Sequence, residues 1–290
     1  MFNFRFIFAL IFVDILCIKT YAAPFPLSRR ELVEPLKEPW VKGYFTATEA
    51  QKNALFTAQN AMKVIRKKPK FSLGTKAGVI LIDEEHSKLP EEGDNNVGVY
   101  RLAGKYKSTA TKQEYNGADL IMKVINQFAN TRAYEEVVAL EIAEDYVDSG
   151  TVVDAITRGV RGRVIIMRRK DGISLHSTPA FKDPATPLAT KREMEQTTIR
   201  LTCTEVAKKA TNKDIAKRIL HGDNKTENVL VMLGPDGKTV VSINLIDWGY
   251  PGIYSVNEKV TYKAVYDWCI ETSQGRFGLP PPEETEHKTS

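Results

Sequence analysis

His221-Gly222-Asp223-Asn224-Lys225-Thr226-Glu227-Asn228 runs directly into Val229-Leu230-Val231-Met232, the turn Gly234-Pro235-Asp236-Gly237, and Val240-Val241-Ser242-Ile243-Asn244-Leu245-Ile246, ending on Asp247-Trp248-Gly249. Two β-branched runs on either side of a Gly/Pro/Asp turn predict a β-hairpin. An Asp-rich loop beside a hairpin is by itself ordinary turn chemistry. Here the order and spacing add information: Lys225 lies two residues after Asp223, Asn228 lies five after it, and a second aspartate closes the returning strand.

These two segments closely resemble the catalytic loop and metal-binding triplet of the protein-kinase-like superfamily, where a His-x-Asp-x-Lys-type loop, a hairpin and an Asp-Phe-Gly-like triplet follow one another. The resemblance implies an α+β, two-lobed protein-kinase-like fold with a reduced helical C-terminal lobe. Such a loop aims a carboxylate at an attacking hydroxyl, while an amide oxygen a few residues on faces a metal bound to ATP phosphates. The hairpin return supplies the second metal ligand. By resemblance, Asp223 accepts or orients the substrate hydroxyl, Lys225 steadies the transferring phosphate, Asn228 and Asp247 hold Mg²⁺, and His221 buttresses the loop.

Upstream segments extend the resemblance. Leu120-Ile121-Met122-Lys123-Val124 is similar to the strand whose lysine grips the α- and β-phosphates, and Glu136-Val137-Val138-Ala139-Leu140 to the helix whose glutamate pairs with it. Glu135 and Glu141 are alternatives to Glu136. Val164-Ile165-Ile166-Met167 resembles the strand entering the hinge, with Met167 near the nucleotide and Arg168–Gly172 linking the lobes. Gly104 to Thr109 stands where the glycine-rich loop belongs, with one glycine where the family has several. Ser108, Thr109, Lys105 and Lys107 are then the substitute donors and charges around the phosphates.

Two positions mix branches of the superfamily. Gly222 and Trp248 are similar to small-molecule kinases of the aminoglycoside and choline phosphotransferase kind, whereas Lys225 and Glu227-Asn228 look like Ser/Thr protein kinases. The lobes are expected at 70–172 and 173–275. Forty-one residues follow Gly249, with room for about one helix (Glu258–Thr272) before a polar tail at 276–290. The function implied is transfer of the ATP γ-phosphate, with Mg²⁺, to a hydroxyl on a protein. One alternative is a secreted pseudokinase or effector acting as a binding module, and a second is a small-molecule kinase.

The remaining chain sets the context. Its 290 residues, 42% hydrophobic and 27% charged with net charge +5, describe a globular chain and fall short of the basic density of a dedicated nucleic-acid binder. Arg5, the apolar run Phe6–Ile18 and small residues near Ala22 read as a secretory signal peptide at 1–22. No later stretch reaches membrane-spanning length, so the mature chain is expected to be secreted, without a membrane partner. That leaves Cys203 and Cys269 as either one disulfide or two buried thiols.

Asn224-Lys225-Thr226 is a glycosylation sequon inside the proposed catalytic loop. Pro24 to Gly43 reads as an exposed lead-in. Thr46 with Glu49 reads as a capping box for a helix running to Lys67, the one helix of an extension at 23–69. Helices are also expected at Thr131–Asp145 and Lys191–Lys209, and strands at Val79–Ile82, Val97–Leu102, Leu120–Ile125, Thr151–Ile156 and Arg163–Met167. Arg161, Arg163, Arg168, Arg169 and Lys170 read as solvated charge, with a basic surface for an acidic partner as the alternative.

Overall fold

The computed structural model describes residues 36–56, 61–67, 77–83, 88–89, 96–125, 132–153 and 161–273. The expected signal peptide, the lead-in before Leu36, Ile156 and the tail at 276–290 lie outside the described residues. The fold is mixed α and β with several small sheets.

In chain order, β1 (Val41–Tyr44) and α1 (Glu49–Ala54) precede β2 (Lys63–Lys67) and β3 (Val79–Asp83). Next come β4 (Asn96–Arg101), the hairpin β5 (Lys105–Lys107) and β6 (Glu114–Asn116), then β7 (Leu120–Ile125) and α2 (Ala133–Ala143). β8 (Tyr146–Val153), β9 (Arg161–Arg168), β10 (Ile173–Ser174), α3 (Pro179–Lys182) and α4 (Leu188–Ala210) follow. The chain continues with β11 (Leu220–His221), the hairpin β12 (Val229–Leu233) and β13 (Val240–Leu245), β14 (Ile253–Val256) and α5 (Tyr262–Ser273).

Strands β4, β7, β9 and β8, in that order, form an antiparallel sheet. Alternation along each strand sends Leu120, Met122, Val124, Val164 and Ile166 to one face, where they pack with Ile80, Ile82 and Tyr106. Lys123 and its cross-strand neighbour Ile165 take the other face, where Ile165 joins Val137 and Leu140 of α2. Strand β7 is thus covered on both sides while carrying one lysine. An ammonium buried there has to meet carboxylates.

In the second half, α4 turns Met194, Ile199, Cys203, Val206 and Ala207 inward and packs on α5. Of the two cysteine alternatives the structure has the disulfide, Cys203–Cys269, with Cα atoms 5.4 Å apart. The β12–β13 hairpin pairs from Val229↔Leu245 to Leu233↔Val240, as its turn residues predict.

Two expectations for the N-terminal extension are corrected. Trp40 is buried and meets Trp268 edge to face at 5.7 Å, and β1 pairs with β14, so the lead-in joins the fold by residue 40. Tyr44 stacks on Tyr254 at 5.1 Å and lies 5.0 Å from Tyr250. Secondly, the capping box is Thr48 with Gln51, and α1 ends after six residues. Val64 and Ile65 instead form β2, parallel to β3. Adjacent β-branched side chains weaken a helix, and the free edge of β3 offers a better partner.

The basic cluster divides. Arg168 and Arg169 are exposed, but Arg163 stacks on Phe56 and Tyr134, 5.0 and 4.4 Å from the ring centroids, and Lys170 pairs with Asp145.

Candidate active site

Lys123 lies between two carboxylates, its Nζ donating to Glu136 Oε1 at 2.7 Å and to Asp247 Oδ1 at 3.0 Å. The choice left open on α2 is settled for Glu136 over Glu135 and Glu141. The Lys123 and Glu136 side chains are 8% and 7% exposed, while Asp247 retains 46%. Burial draws the Lys123 pKa down, but Asp247 and Glu136 together outweigh it and leave it above the ordinary lysine value. Burial raises the Glu136 carboxyl against the opposing pull of Lys123. Lys123 holds Asp247 below the usual carboxylate range, so Asp247 is an ionised carboxylate open to solvent.

The backbone at Asp247 is unusual as well. Its φ is +59°, a left-handed conformation that costs a non-glycine residue free energy and clusters at functional sites. Three bonds around it hold the arrangement: Lys123 takes the carboxylate, Ile246 N donates to Asn228 O at 2.9 Å, and His221 Nε2 bonds Ile246 O at 2.9 Å. Burial lowers the His221 pKa, so the ring is neutral and donates through Nε2, packed edge-on against Trp248 at 4.8 Å. The expected buttressing role of His221 is therefore seen as a clasp between the two ends of the hairpin.

Asp223, Lys225 and Asn228 form a second group at the same hairpin end. Asn228 Nδ2 donates to Asp223 O at 2.8 Å and to Asp223 Oδ2 at 2.9 Å, a pair that leaves Asn228 Oδ1 unused. Lys225 Nζ lies 3.3 Å from Asp223 Oδ2, with both side chains partly exposed. The site thus offers, along one hairpin end, a buried ammonium, an open carboxylate, an amide oxygen, and a second carboxylate beside a mobile-stemmed lysine.

Gly222 has a steric cause. A Cβ there would stand 2.6 Å from Cε2 of Tyr254 and 3.2 Å from Cδ1 of Leu36. Gly222→Ala is expected to cost about 1–3 kcal/mol by overpacking this contact, measured as a shift in the urea unfolding midpoint at unchanged slope. Leu36 and Tyr254 belong to no loop signature: the pairing of β11 with β14 sets Tyr254 beside Gly222, and that of β1 with β14 brings in the chain near Leu36.

The sequon is read differently once folded. Asn224 is fully buried, and its Nδ2 spends both hydrogens, on Cys269 Sγ at 2.9 Å and Ser273 Oγ at 3.1 Å. A glycan on Nδ2 would remove one of these bonds and has no exit to solvent. Soluble protein passed through a eukaryotic secretory pathway is therefore expected to carry an unmodified mass on the peptide containing Asn224. A glycan on that peptide in folded protein would contradict the buried placement.

Three other expected site residues stand apart. Met167 shares the Lys123 face of the sheet, two residues beyond Ile165 towards the strand end. Gly104 adopts φ +63° and accepts from Gly117 N at 2.6 Å, making the turn into β5. Ser108 is corrected as a phosphate donor: it is fully buried, accepts from Ala110 N and Thr111 N at 3.1 Å, and donates to Val147 O at 3.4 Å. Thr109 Oγ1 donates to Asp148 Oδ1 at 2.8 Å, and Lys105 pairs with Glu114. The local turn, Val147 and Asp148 thus take the Ser108 and Thr109 hydroxyls, and Glu114 takes Lys105.

Among the described residues, no group of three or more His, Cys, Asp or Glu side chains is arranged to hold a metal by itself, and no helix is long and apolar enough to cross a membrane. No protein-family model matches the chain, and no curated protein matches it either.

Proposed function

We propose that this chain is a secreted phosphotransferase with a two-lobed, protein-kinase-like fold, moving the γ-phosphate of ATP to a hydroxyl on a protein. The observation that carries the reading is the buried Lys123 held between Glu136 and the half-open, left-handed Asp247. An ammonium fixed by a carboxylate behind it is placed to meet phosphate oxygens without reorganising. Asp223, hydrogen-bonded through Asn228 and beside Lys225, is the carboxylate left to accept the substrate proton.

Lys123, Glu136 and Asp247 sum to one negative charge, and Asp223 with Lys225 to none, so this end of the hairpin favours a cation arriving with a polyphosphate. The donor set suits Mg²⁺: Asp247 Oδ2 and Asn228 Oδ1 are hard oxygen ligands, and Mg²⁺ usually takes one or two carboxylates plus substrate phosphates. Bound there, Mg²⁺ would offset charge on the transferring group.

A second reading, nucleotide binding without transfer, draws on Ser108 and Thr109 being committed elsewhere. For the small-molecule branch, Gly222 also has a local steric reason in Tyr254, while the second marker, Trp248, packs edge-on against His221. The test is thermal unfolding with ATP alone, Mg²⁺ alone and both. Ligand at a hundredfold excess over its Kd stabilises by about 2.7 kcal/mol. A rise that needs both components supports the site, and no rise removes it. Labelled phosphate appearing on protein substrate, on a small hydroxyl compound or on neither separates the three readings.

A further inference from the structure

We propose that Asn224 is a positioning residue for Asp223 and that the Cys203–Cys269 disulfide is its anchor. This deepens the phosphotransferase reading and rests on it for its catalytic consequence. Cys203 sits in the middle of α4 and Cys269 near the end of α5, both fully buried. Asn224, the residue immediately after Asp223, reaches into this helix pair. Its amide nitrogen donates to Cys269 Sγ at 2.9 Å and to Ser273 Oγ at 3.1 Å. Ser273 Oγ in turn lies 3.8 Å from Cys269 Sγ and 3.9 Å from Cys203 Sγ.

The two helices that carry these groups otherwise bury apolar side chains in one cluster, Val206 and Ala207 on α4 and Val265 and Trp268 on α5. A buried amide without partners is costly, so the loop follows the sulfur and hydroxyl that satisfy it. On the other side of Asp223, Gly222 N donates to Gly252 O at 2.7 Å. The carboxylate is therefore held from both neighbours, one bonded to β14's approach and the other to the cross-linked helices. Opening the cross-link separates the two sulfurs to van der Waals contact and displaces the acceptor that Asn224 uses. The disulfide thus acts on the loop, beyond its general effect of restricting the unfolded chain.

The test compares wild type, Asn224→Ala, and Cys203→Ala with Cys269→Ala, reading backbone hydrogen exchange at residues 221–228 with Leu120–Ile125 as reference. Both variants are expected to exchange about tenfold faster at 221–228, as for loss of about one buried hydrogen bond, with the reference strand unchanged. If the cysteine variant does not fold, Asn224→Ala decides, since its cross-link is intact. Wild-type exchange at 221–228 in Asn224→Ala, or equal loosening of both segments, overturns the proposal. Where Mg²⁺·ATP turnover is measurable, the variants should lose roughly tenfold or more in kcat while KM for ATP holds within about twofold. A wild type lacking any nucleotide response but showing the expected exchange pattern defeats the phosphotransferase reading and supports the anchor.

Discussion

Lys123→Met is expected to destabilise the protein by about 3–5 kcal/mol, because it leaves the buried Glu136 carboxyl without its cation and facing Asp247. Glu136→Leu should cost less, since Asp247 still neutralises Lys123 at 3.0 Å. The double variant Lys123→Met with Glu136→Leu removes both buried charges and should recover most of the loss, to within about 1–2 kcal/mol of wild type. Urea unfolding at pH 7 measures all three. Additive losses would mean that the pair is not coupled as the structure has it.

The same cycle has a pH signature. Burial already raises the Glu136 pKa, and without Lys123 nothing opposes that rise. A carboxyl with a raised folded pKa gives stability that is present below its unfolded value, about 4.3, and is lost as pH rises towards the folded value. The deficit of Lys123→Met relative to wild type should therefore shrink in acid and grow towards neutrality. A deficit that widens as pH falls would assign the burial penalty to some other group.

The part of this site legible in the sequence is the part written in short-range spacing. The β12–β13 hairpin follows from Gly234-Pro235-Asp236-Gly237 between two β-branched runs, and it carries Asp223, Asn228 and Asp247 to one end. Thirteen residues from Lys123 to Glu136 span one strand end, a connection and a first helical turn, which is enough to bring them together. What stayed hidden depends on distant partners. Strand β1 exists because β14 offers it an edge, and no local pattern in Val41-Lys42-Gly43-Tyr44 names that edge. Ile65 looks helical by its spacing from Met62, and only β3 makes it a strand. Ser108 resembles a phosphate donor until Val147 and the amides of Ala110 and Thr111 occupy its hydroxyl. The sequon by itself says nothing of accessibility, because the partners that bury Asn224 lie on α5, 45 and 49 residues away.

Asp247→Asn and Asp223→Asn should divide nucleotide binding from phosphoryl transfer. Asparagine keeps the shape of each side chain and is tolerated at the φ of +59° that position 247 requires, so both variants should fold. At 247 the substitution removes the open carboxylate that would hold Mg²⁺, and the metal-dependent part of ATP stabilisation is expected to vanish in thermal unfolding. At 223 the backbone oxygen still accepts from Asn228 Nδ2, the loop keeps its course, and the ATP and Mg²⁺ response should stay at its wild-type size. If Asp223 takes the hydroxyl proton as proposed, transfer should fall by about 10²- to 10⁴-fold in kcat. Equal turnover in Asp223→Asn and wild type would remove Asp223 from the chemistry while leaving the nucleotide site intact. Loss of nucleotide response in Asp223→Asn would instead place Asp223 in binding. The two variants therefore separate two roles at one hairpin end, since Asp247 is bonded to Lys123 and Asp223 to Asn228.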